Sequence, residues 1–85
     1  LAEGTFMEWY NVDDGSEIAG QTLSDARVRE RTGVSVAAIE RDGSVMPSPQ
    51  ADTVIKAGDT LVVIGSQKDL QKFDSFVSND AANPE

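Results

Sequence analysis

The stretch Val34-Ser35-Val36-Ala37-Ala38-Ile39-Glu40-Arg41-Asp42-Gly43-Ser44-Val45-Met46 decides the fold. From Val34 to Ile39 it is apolar on both faces except at Ser35, the pattern of a central strand covered by a helix or by another subunit. Asp42-Gly43 suits the left-handed geometry of a two-residue hairpin turn, so Ser44-Val45-Met46 returns as an antiparallel partner. Pro47-Ser48-Pro49 is extended and poor in backbone donors, which places it at a sheet edge or in a connection. Further on, Thr53-Val54-Ile55 reads as a short strand, Lys56-Ala57-Gly58-Asp59 as a turn, and Thr60-Leu61-Val62-Val63-Ile64-Gly65, the most apolar run, as a buried strand. Ser66 with Asp69 has the spacing of a helix cap, and Leu70, Phe73, Phe76 and Val77 share one helical face, predicting a helix over 67–78.

Working outward in the other direction, Phe6 to Val12 reads as a strand, with Met7, Trp9 and Asn11 on one face and Phe6, Glu8, Tyr10 and Val12 on the other. Trp9 and Tyr10 then point to opposite faces, and one of them is expected in the core. Asp13-Asp14-Gly15-Ser16 is a solvated turn without the ligand spacing of a calcium loop. Thr22 is placed to cap a short helix carrying Leu23 and Ala26, with Asp25 in its first turn. Val28 falls off that stripe, so a break or tight turn is expected at Arg27 to Val28, and Gly33 stops whatever helix remains. Strand, helix, strand, strand, strand, helix is an α+β two-layer sandwich: a small, mostly antiparallel sheet with two helices on one side. The other face of that sheet needs a cover or must be polar. The expected organisation is a flexible segment over 1–5, one domain over 6–78 and a disordered tail over 79–85.

Composition narrows the chemistry. The chain has 85 residues, 7 Lys plus Arg against 15 Asp plus Glu, no His and no Cys, and a net charge of -8. So short a chain buries only about 60 to 65% of its unfolded surface, which makes an association surface valuable. Without His or Cys there is no disulfide, no thiolate nucleophile and no neutral-pH proton shuttle of the usual kind. No enzymatic activity, metal site or cofactor is expected. The acidity argues against duplex nucleic acid, which is held by an extended basic face. No apolar run approaches the roughly 18 residues of a membrane span and no charged-then-apolar leader opens the chain, so a soluble domain without direct membrane insertion is expected. Its start at Leu1 suggests a piece of a longer protein.

One constellation has functional shape. Arg27-Val28-Arg29-Glu30-Arg31, leading into Gly33-Val34, gathers three of the seven cations within five residues. Guanidinium groups bind phosphate with a two-pronged fork, and a nearby glycine turn offers backbone donors. The plainer reading of the same run is a solvated face whose arginines pair with Glu30, Asp25 or Glu40. The glycines are scattered through turns and element ends, and no phosphate loop or dinucleotide fingerprint appears.

Several pieces at fixed spacing then converge: Gly20-Gln21-Thr22-Leu23, Val28-Arg29, Gly33-Val34-Ser35-Val36, Ala38-Ile39-Glu40-Arg41, Ser48-Pro49, Ala51-Asp52 and Gly58-Asp59-Thr60-Leu61-Val62-Val63-Ile64-Gly65. Together, over roughly Trp9 to Phe76, they resemble the TrkA C-terminal domain, also called the RCK C-terminal domain. Within it, Glu8-Trp9-Tyr10-Asn11-Val12 looks most like domains accompanying potassium/proton antiporters. The resemblance implies a cytosolic regulatory module, peripheral to the inner face of the cell membrane through a membrane-embedded potassium transporter or antiporter subunit. It implies a homodimer and a small ligand, cyclic di-AMP in several bacterial members, held between the two copies. Carried over by position, Arg29 matches the phosphate-facing arginine, Val28, Val34 and Ser35 lie beside base or ribose, and Pro49 is near the groove wall. Arg27 and Thr32 depart from the ligand-binding pattern, where an acid and a Tyr or Phe are common. The alternative within the resemblance is a structural dimerisation module that senses no ligand, or a divalent cation.

Overall fold

The computed structural model describes residues 4–81, with side chains as far as Ser78. Its strands are β1 (Phe6–Asn11), β2 (Ser35–Arg41), β3 (Ser44–Pro47) and β4 (Thr60–Gly65); its helices are α1 (Leu23–Ala26), α2 (Val28–Thr32) and α3 (Gln67–Ala81). The strands form one sheet in the order β1-β4-β2-β3, and every neighbouring pair is antiparallel. The hairpin β2–β3 turns at Asp42-Gly43, both with positive φ, as the sequence predicts. The expected break between the first two helical segments is also present. Arg27 adopts a left-handed conformation, φ 53, that closes α1 and opens α2.

The caps follow from local chemistry. Thr22 Oγ1 accepts from the Asp25 amide at 3.0 Å. At the start of α3, Ser66 Oγ accepts from the Asp69 amide at 3.1 Å while the Ser66 amide donates back to Asp69 Oδ2 at 3.3 Å, a reciprocal capping box. Gly33 ends α2 with φ 92, and a Cβ there would come within 2.5 Å of Asp69 Oδ1. Glycine thus allows both the left-handed turn and the approach of α3 to α2.

Leu61 and Val63 of β4, Ile39 of β2 and Tyr10 of β1 face the helices, as their cross-strand pairing requires. Phe73 of α3 is fully buried against this face and meets the Tyr10 ring edge-on at 5.5 Å between centroids. Tyr10 is therefore the member of the aromatic pair that packs on the core, and Trp9 stays 63% exposed on the opposite face.

Two expectations are corrected. Thr53-Val54-Ile55 is not a strand of the sheet: only an isolated bridge joins Val54 to Thr22. β3 ends at Pro47, and Ser48, with φ 47, turns the chain toward 20–24. There the carbonyls of Ala51 and Thr53 receive the Ser24 and Leu23 amides at 2.9 and 3.0 Å, donors that α1 itself leaves unpaired at its first turn. The second correction is the tail expected over 79–85. α3 continues to Ala81, because no glycine or proline stops it there. Residues 82–85, and 1–3 of the expected flexible segment, lie outside the described residues.

The turn before β4 is fastened to the end of β2. Asp59, 1% exposed, accepts from Arg41 Nε and Nη2, both at 2.7 Å, and from the Lys56 amide at 2.9 Å. Arg41 Nη2 also donates to the Val54 carbonyl at 2.9 Å. Hydrogen bonding from Arg41, set against burial, holds the Asp59 carboxyl below its usual value.

Candidate ligand-binding site

A groove of about 600 Å³ opens where α1, α2, the start of β2 and the segment after β3 meet. Val28, Arg29, Val34, Ser35 and Pro49, the five positions singled out from the sequence, all line it. The fold explains their convergence. The left-handed turn at Arg27 restarts the helix so that Val28 points into the core and Arg29 outward over the start of β2. Gly33 then reverses the chain after only one turn of helix, bringing Val34 and Ser35 back beneath Arg29.

Arg29 Nη2 donates to Ser35 Oγ at 2.9 Å. One of five guanidinium N–H groups is used in holding the side chain across the groove mouth, and the rest of the fork remains for an anion. Beneath it, Val28 and Val34, 3% and 0% exposed, back the groove with apolar side chains while its rim is charged. Such a combination suits a ligand with an anionic group joined to a flat apolar one.

Backbone irregularities concentrate here. A register shift between Val36 and Ala38 inserts Ala37 as a bulge, and the Ala37 carbonyl accepts from the Ser48 amide at 2.8 Å. That bond draws the 48–49 segment against β2 as the second wall. Arg27 and Ser48, two of the three non-glycine residues with positive φ among the described residues, both line the groove. Bulges and left-handed residues cost energy and recur where a binding surface is shaped.

The three arginines separate. Arg27 also lines the groove, which the sequence reading did not foresee, but its side chain is 62% exposed and pairs with Glu30 at 3.6 Å. Arg31 faces away, its guanidinium 5.1 Å from the centroid of the Phe76 ring. Thr32, one of the departures noted above, is 2% exposed and structural: its hydroxyl donates to the Val28 carbonyl at 2.7 Å and accepts from the Val34 amide at 3.2 Å. No group of three or more His, Cys, Asp or Glu that could hold a metal ion is present among the described residues. Nor is any described helix long and apolar enough to cross a membrane.

The TrkA-C domain family matches residues 7–78. The chain belongs to this family. Ktr system potassium uptake protein C of Bacillus subtilis (strain 168) is 42% identical to this TrkA-C domain over 62 residues, covering 73% of the chain and 28% of that protein. The K(+)/H(+) antiporter subunit KhtT of the same organism is 37% identical over 67 residues, covering 78% and 41% respectively. The domain thus spans well under half the length of these relatives. Among solved structures, the RCK_C domain dimer of S. agalactiae BusR in complex with c-di-AMP matches with a TM-score of 0.77 at 25% identity, covering 85% of this chain and 95% of that one. The α+β architecture read from the sequence and the family it resembles are both borne out.

Proposed function

We propose that this TrkA-C domain is the cytosolic ligand-sensing part of a potassium transport protein, a cation/proton antiporter, and that it binds cyclic di-AMP between two copies of itself. It performs no chemistry; binding energy is its output. The observation that carries the proposal is Arg29, tethered by Ser35 over the apolar floor of Val28 and Val34 with Pro49 on the facing wall. Each half of cyclic di-AMP offers one phosphate and one adenine, the two surfaces that this half-groove is built to meet. A single copy supplies one Arg29, so a second copy related by a two-fold axis is needed to hold the second phosphate. The BusR RCK_C dimer with its c-di-AMP supports the ligand, and KhtT supports the antiporter setting.

Binding to the dimer would then be felt by the rest of the protein as a change in how its two copies are held, through the differential affinity of ligand for the paired state. With a chain charge of -8, long-range electrostatics oppose a dianion. Affinity must rest on the local cations, whose short-range contact salt screens less than it screens the long-range repulsion. The test is titration of cyclic di-AMP into the parent and into Arg29→Ala, a substitution outside the core. Losing two charge-assisted contacts per dimer should cost about 2 to 4 kcal/mol, roughly 30- to 1,000-fold in affinity. Equal binding by the two proteins would reject the site.

A further inference from the structure

Helix α3 sorts its charges by direction. Its buried Leu70, Phe73 and Val77 set the inward side. Asp69 turns toward α2, where its carboxylate accepts from the Ser66 amide and closes on Gly33. Asp74 lies on the other flank, beside Glu8 of β1. Lys68 and Lys72 border a third region, a shallow depression of about 500 Å³ shared with Arg31 and Phe76. Gln71 and Ser75 complete its lining, and no carboxylate takes part. Three of the seven cations of the chain thus meet in one place. None of them makes an ion pair among the described residues, although the chain carries 15 acids.

The arrangement opposes stability. Lys68 is the second residue of α3, at the positive end of the helix dipole, where a carboxylate is favoured and an ammonium is not. Lys72 follows one turn later, so like charges are neighbours on the helix surface. Arg31 is held by the Phe76 ring, 5.1 Å from its centroid, rather than by an acid. Such breaches without internal compensation are expected at functional surfaces.

We propose that this patch docks an extended acidic peptide segment of a partner protein. The inference uses no residue of the groove and stands apart from the ligand proposed above. Charge selects an anion, and shape selects a narrow one. From Lys68 to Phe76 the patch runs only about 12 Å along the helix. An anionic membrane or a nucleic acid duplex is wider, and would also meet Glu30 beside Arg31 and the field of a chain of net charge -8. A single peptide strand avoids both. Its spacing also matches. Lys68 and Lys72 are separated by a rise of about 6 Å, and alternate residues of an extended peptide by about 6.6 Å. Carboxylates at every second position therefore meet both lysines in turn. The fork of Arg31 takes a further carboxylate, and half-buried Phe76 offers apolar contact to a side chain between them.

The probe is a fluorescein-labelled peptide alternating Glu with Val, beside its counterpart with Gln in place of Glu. Anisotropy is followed against the intact domain at an ionic strength of about 0.1 M, where the Debye length is about 10 Å and distant acids are screened. Saturable binding of the Glu peptide is expected, at least about tenfold tighter than that of the Gln peptide. The double variant Lys68→Gln, Lys72→Gln should lose about tenfold or more. Its circular dichroism and denaturation midpoint should be no lower than the parent's, because the change relieves like charge at the start of α3. Arg29→Ala should bind the peptide as the parent does. Absent binding, equal binding of the Gln peptide, or binding that ignores the lysines or requires Arg29 would overturn the proposal. So would a lowered midpoint in the lysine variant, which would make the patch structural. Capture of phosphatidylserine vesicles in place of the peptide would assign it to a lipid surface and overturn the proposal equally.

Discussion

Replacing Asp59 by Asn tests whether the clasp between the 56–59 turn and β2 holds the sheet together. The carboxylate receives three hydrogen bonds, two of them from Arg41 at 2.7 Å, in a site 1% exposed. Removing one partner of a buried pair costs about 3 to 5 kcal/mol because the other is left uncompensated. Here the Arg41 side chain is 28% exposed and keeps its bond to the Val54 carbonyl, so part of its charge is resolvated. A loss of about 2 to 4 kcal/mol at pH 7 follows, a large share of the stability of so small a domain. The folded-state pKa of Asp59 is lowered, so its contribution is fully present above the ordinary aspartate value and is lost as pH falls through the lowered one. Urea unfolding at pH 7 and at successively lower pH should therefore show parent and Asp59→Asn far apart at neutrality and converging in acid. A gap below about 1 kcal/mol at pH 7, or one independent of pH, would refute the reasoning.

Other perturbations test separate parts of the structure. Phe73→Ala empties the fully buried ring site opposite Tyr10 and should cost about 3 to 5 kcal/mol in chemical denaturation. Gly33→Ala forces a side chain into a left-handed turn and against Asp69, for a loss of about 1 to 2 kcal/mol or more by the same measurement. Burial and the neighbouring Asp74 raise the Glu8 carboxyl above its usual value, so folding stability should decline as pH rises from the unfolded value through the raised one. Glu8→Gln should remove that segment of the stability profile, and an unchanged profile would show that the pair is solvated.

What could be read from the sequence was local. The Asp42-Gly43 hairpin, the break at Arg27 and the Ser66/Asp69 cap each depend on residues within a few positions, where backbone preference dominates. The five groove positions came from the family resemblance rather than from spacing. Arg27 departs from the family's ligand-binding pattern, yet the chain turn it makes places it on the rim. The Arg41–Asp59 clasp spans 18 residues and leaves no periodic trace. Thr53 to Ile55 has strand composition, but its bonding partners are the 20–24 segment, a tertiary choice that propensity does not encode.

The central claim is one ligand shared by two chains, and the stoichiometry of cyclic di-AMP binding measures it most directly. A two-fold ligand on a two-fold axis presents the same atoms to Arg29 of each copy, so calorimetry should saturate at about 0.5 ligand per chain. Light scattering of the complex should give twice the chain mass. Saturation near one ligand per chain, or binding to a species of single-chain mass, would contradict the account.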